Sequence, residues 1–290
     1  MHPTVAALGT ALNTTAGIAP SLAGRAAFAL FRRPVRRARI GETDRSPIAA
    51  AERGTLTIGG KNVVTYRWGT GGQPVLLVHG WSSRASRLAH LATALHARGH
   101  TVLTFDLPGH GASGGTTTTV LECRDIILEL QRRHGPFLLL AGYSFGSLAS
   151  FLAAREGART EALAGIAGVS RFDHLVTGFC RELRLSGWAE RELRTRVERR
   201  LFPGEPDIWR RFSATHAPER IAVRQILLVH DEDDPRAGAE QARETARAHG
   251  ERAELFLTRG LGHHRVITAP AVTARVADFA DAVRDRAATP

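Results

Sequence analysis

Phe137-Leu138-Leu139-Leu140-Ala141 runs into Gly142-Tyr143-Ser144-Phe145-Gly146, and a helical pattern from Ser147 to Ala154 follows. A buried apolar strand, a turn carrying one serine and a helix form the context in which G-x-S-x-G acquires chemical meaning. The serine stands at the turn with its hydroxyl pointing out of the sheet. Such a turn is sterically crowded, so its flanks must be small, and Gly142 and Gly146 meet that demand. The helix that starts there aims free backbone N–H groups at the same point, which suits a developing oxyanion. A glycine–serine turn without chemistry is the bland alternative, and the rest of the chain has to decide.

Working outward, residues 54–58 and 63–68 are β-rich runs around the turn signal Gly59-Gly60-Lys61-Asn62. Residues 74–81 form a continuous apolar run ending in Val78-His79-Gly80-Trp81. A run without alternation predicts a strand covered on both faces, hence a parallel sheet. Further strands are expected at 101–105, 163–169, 226–229 and 253–257, with helices around Leu88–Leu95, at 121–133, at 241–249 and at 269–287. The alternation is βα almost throughout. It predicts one α/β domain: a doubly wound, mostly parallel sheet of eight strands with helices on both faces. Residues 51–170 and 221–290 make up that core, and 171–220 break the alternation as an inserted helical segment. Residues 1–50 read as a separate N-terminal basic arm.

The 290 residues, 43% of them hydrophobic, suffice for one large core. Two cysteines, Cys123 and Cys180, do not make a disulfide framework and fit a reducing, cytoplasmic setting. The net charge of +11 comes almost wholly from arginine, because Lys61 is the sole lysine. No basic stripe interleaved with aromatics and no nucleic-acid module is visible, so nucleic acid is disfavoured as a partner. In the arm, Phe28, Leu30, Phe31 and Val35 lie among Arg32, Arg33, Arg36, Arg37 and Arg39. The apolar run there is too short to span a bilayer, and no signal-peptide pattern precedes it. Packing over the domain is expected, and weak contact of residues 25–40 with an anionic membrane surface is the alternative.

A serine hydroxyl needs a histidine base, and that base needs an orienting carboxylate. In an open α/β sheet both come from loops at the carboxyl ends of strands. His263, in Gly260-Leu261-Gly262-His263-His264, follows the last strand, and Asp231, Asp233 and Asp234 all follow the strand at 226–229. The order Ser, Asp, His suits this architecture.

With these motifs and Asp106-Leu107-Pro108-Gly109-His110-Gly111-Ala112-Ser113, the sequence resembles the α/β-hydrolase family in its esterase/lipase-like branch, from about Leu56 to Phe279. The resemblance implies Ser144 as nucleophile, Asp234 as acid and His263 as base. It implies an oxyanion hole from the backbone N–H groups of Phe145 and Trp81. Family loops read His-Gly-x-x-Asp; here Asp231 takes the glycine place, and Asp234 matches by spacing, with Asp231 as its main rival. An Asp234 that only caps the chain after Pro235 is the bland reading. His263 is preferred over His264 and His230, while His79 and His110 are expected to brace loops. Residues 171–220 match the family's variable cap, whose Phe172, Phe179, Trp188 and Trp209 are either an acyl pocket or cap core.

The expected activity is hydrolysis of a carboxylic ester or thioester with an apolar acyl group, using no metal or other cofactor. Carbon–carbon hydrolysis or acyl transfer by the same triad is a second reading. A ligand-binding protein on the same fold is a third, although a binder needs none of the three residues.

Overall fold

The computed structural model describes residues 3–34 and 36–288. Among them eight strands form one sheet: β1 (Glu52–Ile58), β2 (Lys61–Trp68), β3 (Val75–Val78), β4 (Val102–Phe105), β5 (Phe137–Tyr143), β6 (Thr160–Ile166), β7 (Gln225–Asp231) and β8 (Ala253–Thr258). Their spatial order is β1-β2-β4-β3-β5-β6-β7-β8. β2 runs antiparallel to β1 and β4, and all other neighbours are parallel. Gly59 and Gly60 (φ 54° and 73°) make the β1–β2 turn in the left-handed region, and Lys61 and Asn62 already belong to β2.

Every residue of β3, β4 and β5 is buried, which explains their unbroken apolar runs. Leu76, Val78, Leu103 and Phe105 face helices Val120–His134 and Phe145–Arg155. Val75, Leu77 and Val102 face helices Ala89–Ala97 and Pro270–Ala287. Cys123 and Cys180 are both buried free thiols. β6 starts and ends three residues earlier than the apolar run 163–169 predicts. Ala167 takes φ 46° and its N–H donates to Val229 O at 2.8 Å, so the chain leaves the sheet there.

The N-terminal segment holds two helices, Pro3–Ile18 and Pro20–Phe31, where the sequence reading has only an arm. Alanine-rich composition favours helix, and Pro3 and Pro20 occupy the first helical position, where proline loses nothing. These helices rest on Asp173–Glu182 and Gly187–Arg196, which lie between β6 and β7. Leu12, Ala27 and Leu183 are buried together, and the Phe31 and Phe179 rings meet edge-on at 5.4 Å. Asn13 donates to Arg184 O at 2.8 Å and accepts from Ser186 N at 3.1 Å. A Cβ on Gly24 would sit 2.5 Å from Glu192 Cγ, so the two helices approach closely there. Phe28, Leu30 and Phe31 are half-buried in these contacts; Val35 lies outside the described residues. Among the described residues no helix is long and apolar enough to cross a membrane.

Candidate active site

β5 ends at Tyr143, and Ser144 takes φ 53°, ψ −118° before the helix Phe145–Arg155 begins. A non-glycine residue in this region carries strain of order 1–3 kcal/mol. The surrounding chain imposes it. A Cβ on Gly142 would lie 2.3 Å from Gly146 O, and one on Gly146 would lie 2.2 Å from Val78 O. Neither position admits any side chain. Ser144 N donates to Ile166 O at 2.9 Å, which fixes the tip of the turn to β6.

His263 reaches this point from the turn after β8, the edge strand three places from β5. It sits on the single helical turn Gly262–Arg265 that follows the Gly260 turn, and is buried. His263 Nε2 lies 3.0 Å from Ser144 Oγ, and Nδ1 lies 2.7 Å from Asp234 Oδ2. Tyr143 O–H donates to His263 O at 2.9 Å, holding the histidine from its backbone. Nothing in the sequence marks this bond, because Tyr143 reads as the variable position of the motif.

The three competing acids separate by their partners. Asp234 Oδ1 accepts from Arg236 N at 2.8 Å and Ala237 N at 3.1 Å, so the bland capping expectation also describes it. Its other oxygen faces His263, and the buried His230 Nε2 is 3.4 Å from that oxygen. Asp231 does not touch the histidine ring. It accepts from Thr258 Oγ1 at 2.8 Å, Leu261 N at 3.1 Å, Gly262 N at 2.8 Å and Asp233 N at 3.1 Å. Asp233 Oδ2 accepts from Gly260 N at 2.8 Å. Thus Asp231 and Asp233 bind the backbone that carries His263, while Asp234 meets its side chain. His264 is exposed, with its ring against that of His263.

Trp81 and Phe145 flank Ser144. Phe145 opens its helix, so its N–H has no acceptor within that helix. A Cβ on Gly80 would lie 2.9 Å from Ser144 Cβ; glycine lets residues 79–82 lie directly on the turn. The Trp81 and Phe145 rings are 5.8 Å apart. His79 Nε2 accepts from Leu107 N at 3.0 Å, leaving Nδ1 to donate to Gly80 O at 2.8 Å. His110 Nε2 accepts from Ser82 N at 3.1 Å, and Nδ1 donates to Pro108 O at 3.0 Å. Of the aromatics in 171–220, Phe172 packs with Phe202, Phe212 and Trp209 at 5.2 to 5.8 Å. Phe179 meets Phe31, and Trp188 is exposed. Packing within the helical segment therefore accounts for Phe172 and Trp209, and packing on the N-terminal helix for Phe179. Among the described residues no group of three or more His, Cys, Asp or Glu is arranged to hold a metal ion.

Protonation follows from these surroundings. Burial pushes both His79 and His110 down, His110 to about 3 with help from neighbouring His79. Both imidazoles stay neutral, as their acceptor roles require. Burial alone would raise Asp231 and Asp234. Bonds from the Gly262 amide and Thr258 outweigh it at Asp231, and bonds from His230 and His263 outweigh it at Asp234, so both carboxyls fall below their ordinary value.

The sign for stability is the same in both sets. An unfolded histidine takes up its proton near pH 6.5 while buried His79 and His110 resist, so acid favours unfolding from there downward. The carboxylates stabilise the fold above about pH 4, and that contribution is lost as the pH falls through their lower folded values. The melting temperature is therefore expected to fall steadily from pH 7 to pH 4 and more steeply below. Calorimetry across that range checks it; a flat profile would contradict these assignments.

The alpha/beta hydrolase family matches residues 75–276. A pimeloyl-[acyl-carrier protein] methyl ester esterase of Sodalis glossinidius is 33% identical over 129 residues, 40% of this chain and 48% of that protein. The chain thus spans about half the length of that curated relative. Alpha/beta hydrolase domain-containing protein 10 from mouse superposes with a TM-score of 0.64 at 20% identity, over 82% of this chain and 100% of that one. A Pyrococcus furiosus esterase does so with a TM-score of 0.64 at 18% identity, over 87% and 98%. The order of the sheet, the turn at Ser144 and a match across most of the chain agree: the protein belongs to the alpha/beta hydrolase family.

Proposed function

We propose that the protein is a serine hydrolase that cleaves a carboxylic ester through an acyl-enzyme on Ser144. The observation that carries this reading is the pair of contacts at His263: Nε2 to Ser144 Oγ at 3.0 Å and Nδ1 to Asp234 Oδ2 at 2.7 Å. Ser144 Oγ attacks the ester carbonyl carbon and gives its proton to His263 Nε2. The carbonyl electron pair moves onto oxygen, where the Phe145 and Trp81 amides receive it. Collapse of this intermediate breaks the bond to the alkoxy oxygen, which leaves with the proton from Nε2. Water then attacks the acyl-enzyme, passes a proton to Nε2 and frees the carboxylic acid as Ser144 regains its hydrogen. A thioester follows the same steps with sulfur as the leaving atom.

Residues 171–220, inserted between β6 and β7, serve as the cap, and the half-buried Trp81 ring offers apolar surface on the turn that packs against Ser144 through Gly80. Methyl esters belong among the first substrates tried, since the Sodalis glossinidius relative is named for cleaving one. Incubation with a fluorophosphonate probe and a series of p-nitrophenyl esters tests the reading. Covalent labelling at Ser144 together with ester turnover is expected, and folded protein that does neither would overturn it.

The division of acids gives its own test. Asp231→Asn puts an amide where Thr258 and Leu261 donate; the Thr258 hydroxyl can turn to accept, but the Leu261 N–H is left facing another donor. A loss of about 1–3 kcal/mol is expected, read as a lower denaturant midpoint. Turnover per titrated active site should fall far less than with a change at Asp234; the opposite ranking would make Asp231 the acid.

A further inference from the structure

The Trp81 turn has little internal support. Within residues 80–83 the chain makes one backbone bond of its own, Ser83 N to Gly80 O at 3.2 Å, and Ser82 stands at φ 54°. What holds it comes from the loop after β4. Leu107 N binds His79, Ser82 N binds His110 Nε2, and Ala85 N binds Asp106 Oδ1 at 2.8 Å. The geometry of the Trp81 amide is therefore only as firm as residues 106–115.

β2 anchors that loop through Val64 N to Ser113 Oγ at 2.8 Å, Gly114 N to Asn62 O at 2.7 Å and Tyr66 Oη to Asp106 at 3.1 Å, and one guanidinium gathers its carbonyls from the N-terminal side. Arg37 Nη1 donates to Gly111 O at 3.0 Å, to Ser113 O, and to His110 O at 3.4 Å; Nη2 donates to Gly115 O at 2.7 Å. Four carbonyl oxygens of one loop converge on a single guanidinium; three share the two hydrogens of Nη1 and the fourth takes Nη2, so the two nitrogens reach both arms of the loop at once. His110 is bound at its carbonyl by Arg37 and at its ring by Ser82, so one residue spans from the guanidinium to the Trp81 turn. The next residue touches the other loop directly: Ala38 O accepts from Arg84 Nη1 at 3.2 Å, and Arg84 Nη2 lies 3.7 Å from Asp106 Oδ2. Six residues upstream, Phe31 is packed on Phe179 of the helical segment.

We infer that Arg37 is a positioning residue, holding the Trp81 turn in place through the 106–115 loop, and that the N-terminal segment thereby ties the oxyanion side of the site to the cap. The inference rests on the oxyanion role given to Trp81 above. A slack turn would bind the ground-state ester as before and the tetrahedral state less well.

Arg37→Ala, Arg37→Lys and, as a control on the neighbouring exposed arginine, Arg36→Ala separate this from simple anchoring of the arm. Each is made in the full chain, with rates normalised to sites titrated by fluorophosphonate. For a short p-nitrophenyl ester, Arg37→Ala should lower kcat roughly 10- to 100-fold, below the cost of removing a donor outright. KM should stay within about threefold, and the pH–rate midpoint should not move. The inhibition constant of a trifluoromethyl ketone, which forms a tetrahedral adduct on serine, should rise by the factor that kcat/KM falls. Arg37→Lys should lie between, and Arg36→Ala should match the unaltered protein. An Arg37→Ala protein whose kcat and ketone affinity per titrated site are unchanged would overturn the inference. If that variant does not fold, the same two quantities in Arg37→Lys decide, and unchanged values there overturn it. An unaltered protein that neither labels nor turns over would instead refute the hydrolase reading, and would do so before any variant is compared.

Discussion

Ser144→Ala is expected to abolish fluorophosphonate labelling and to cut ester turnover by about 10⁶-fold. The magnitude follows from the absence of a substitute. The turn presents one hydroxyl to His263 Nε2, and the glycines at 142 and 146 leave no room for a second side chain. Water in the vacated position would lack both the attachment and the alignment that make the first step effectively unimolecular. The fold should survive. Alanine occupies the same backbone, and the lost bond to His263 is worth only about 1 kcal/mol. Intact-protein mass spectrometry after probe treatment reads the labelling, and thermal melting reads the fold. A labelled Ser144→Ala protein would place the nucleophile elsewhere.

The second large effect is at Asp234. Replacement by asparagine should lower kcat by about 10⁴-fold with little change in KM, alongside a lower melting temperature at neutral pH as the bonds from His230 and His263 to the carboxylate are lost. Oδ1 would be kept and would still accept from the amides of Arg236 and Ala237, so the local turn has no reason to open. The change falls on the other atom. An NH₂ group facing His263 Nδ1 donates where the carboxylate accepted, and the ring answers by moving its hydrogen to Nε2. The nitrogen beside Ser144 Oγ then carries a proton and can no longer receive one. Burst kinetics with a p-nitrophenyl ester would show acylation slowed while the titrated site count stays whole. A fall in site count without slower acylation would mean that Asp234 matters for folding and not for the proton.

Much of the fold was legible because it rests on local rules. The unbroken apolar runs at 75–78 and 137–141 could only be strands covered on both faces, and their spacing by helical patterns left a doubly wound sheet as the consistent arrangement. The N-terminal helices were less legible. The first has no charged residue to set a polar face against an apolar one, and the partner that stabilises both, the segment around Phe179 and Leu183, lies some 150 residues away in the chain. The boundary of β6 slipped for a related reason, since hydrophobicity continues past Ile166 while the backbone turns away at Ala167.

The sequence by itself determined the chemistry that could be attempted: a serine at a turn that tolerates only glycine on either side, with acids and histidines following in an order that suits the sheet. By local character it left Asp231, Asp233 and Asp234 nearly alike, and only spacing within the family resemblance favoured Asp234. The tertiary structure alone shows which oxygen meets the His263 ring and which meet a backbone brought in from β8 and the turn beyond it. The same holds for Arg37. In the sequence it is one of five arginines in a basic run, and in the fold four carbonyls converge on it from a loop more than 70 residues away. Local steric and apolar patterns are written along the chain; which donor meets which acceptor is a property of the folded neighbourhood.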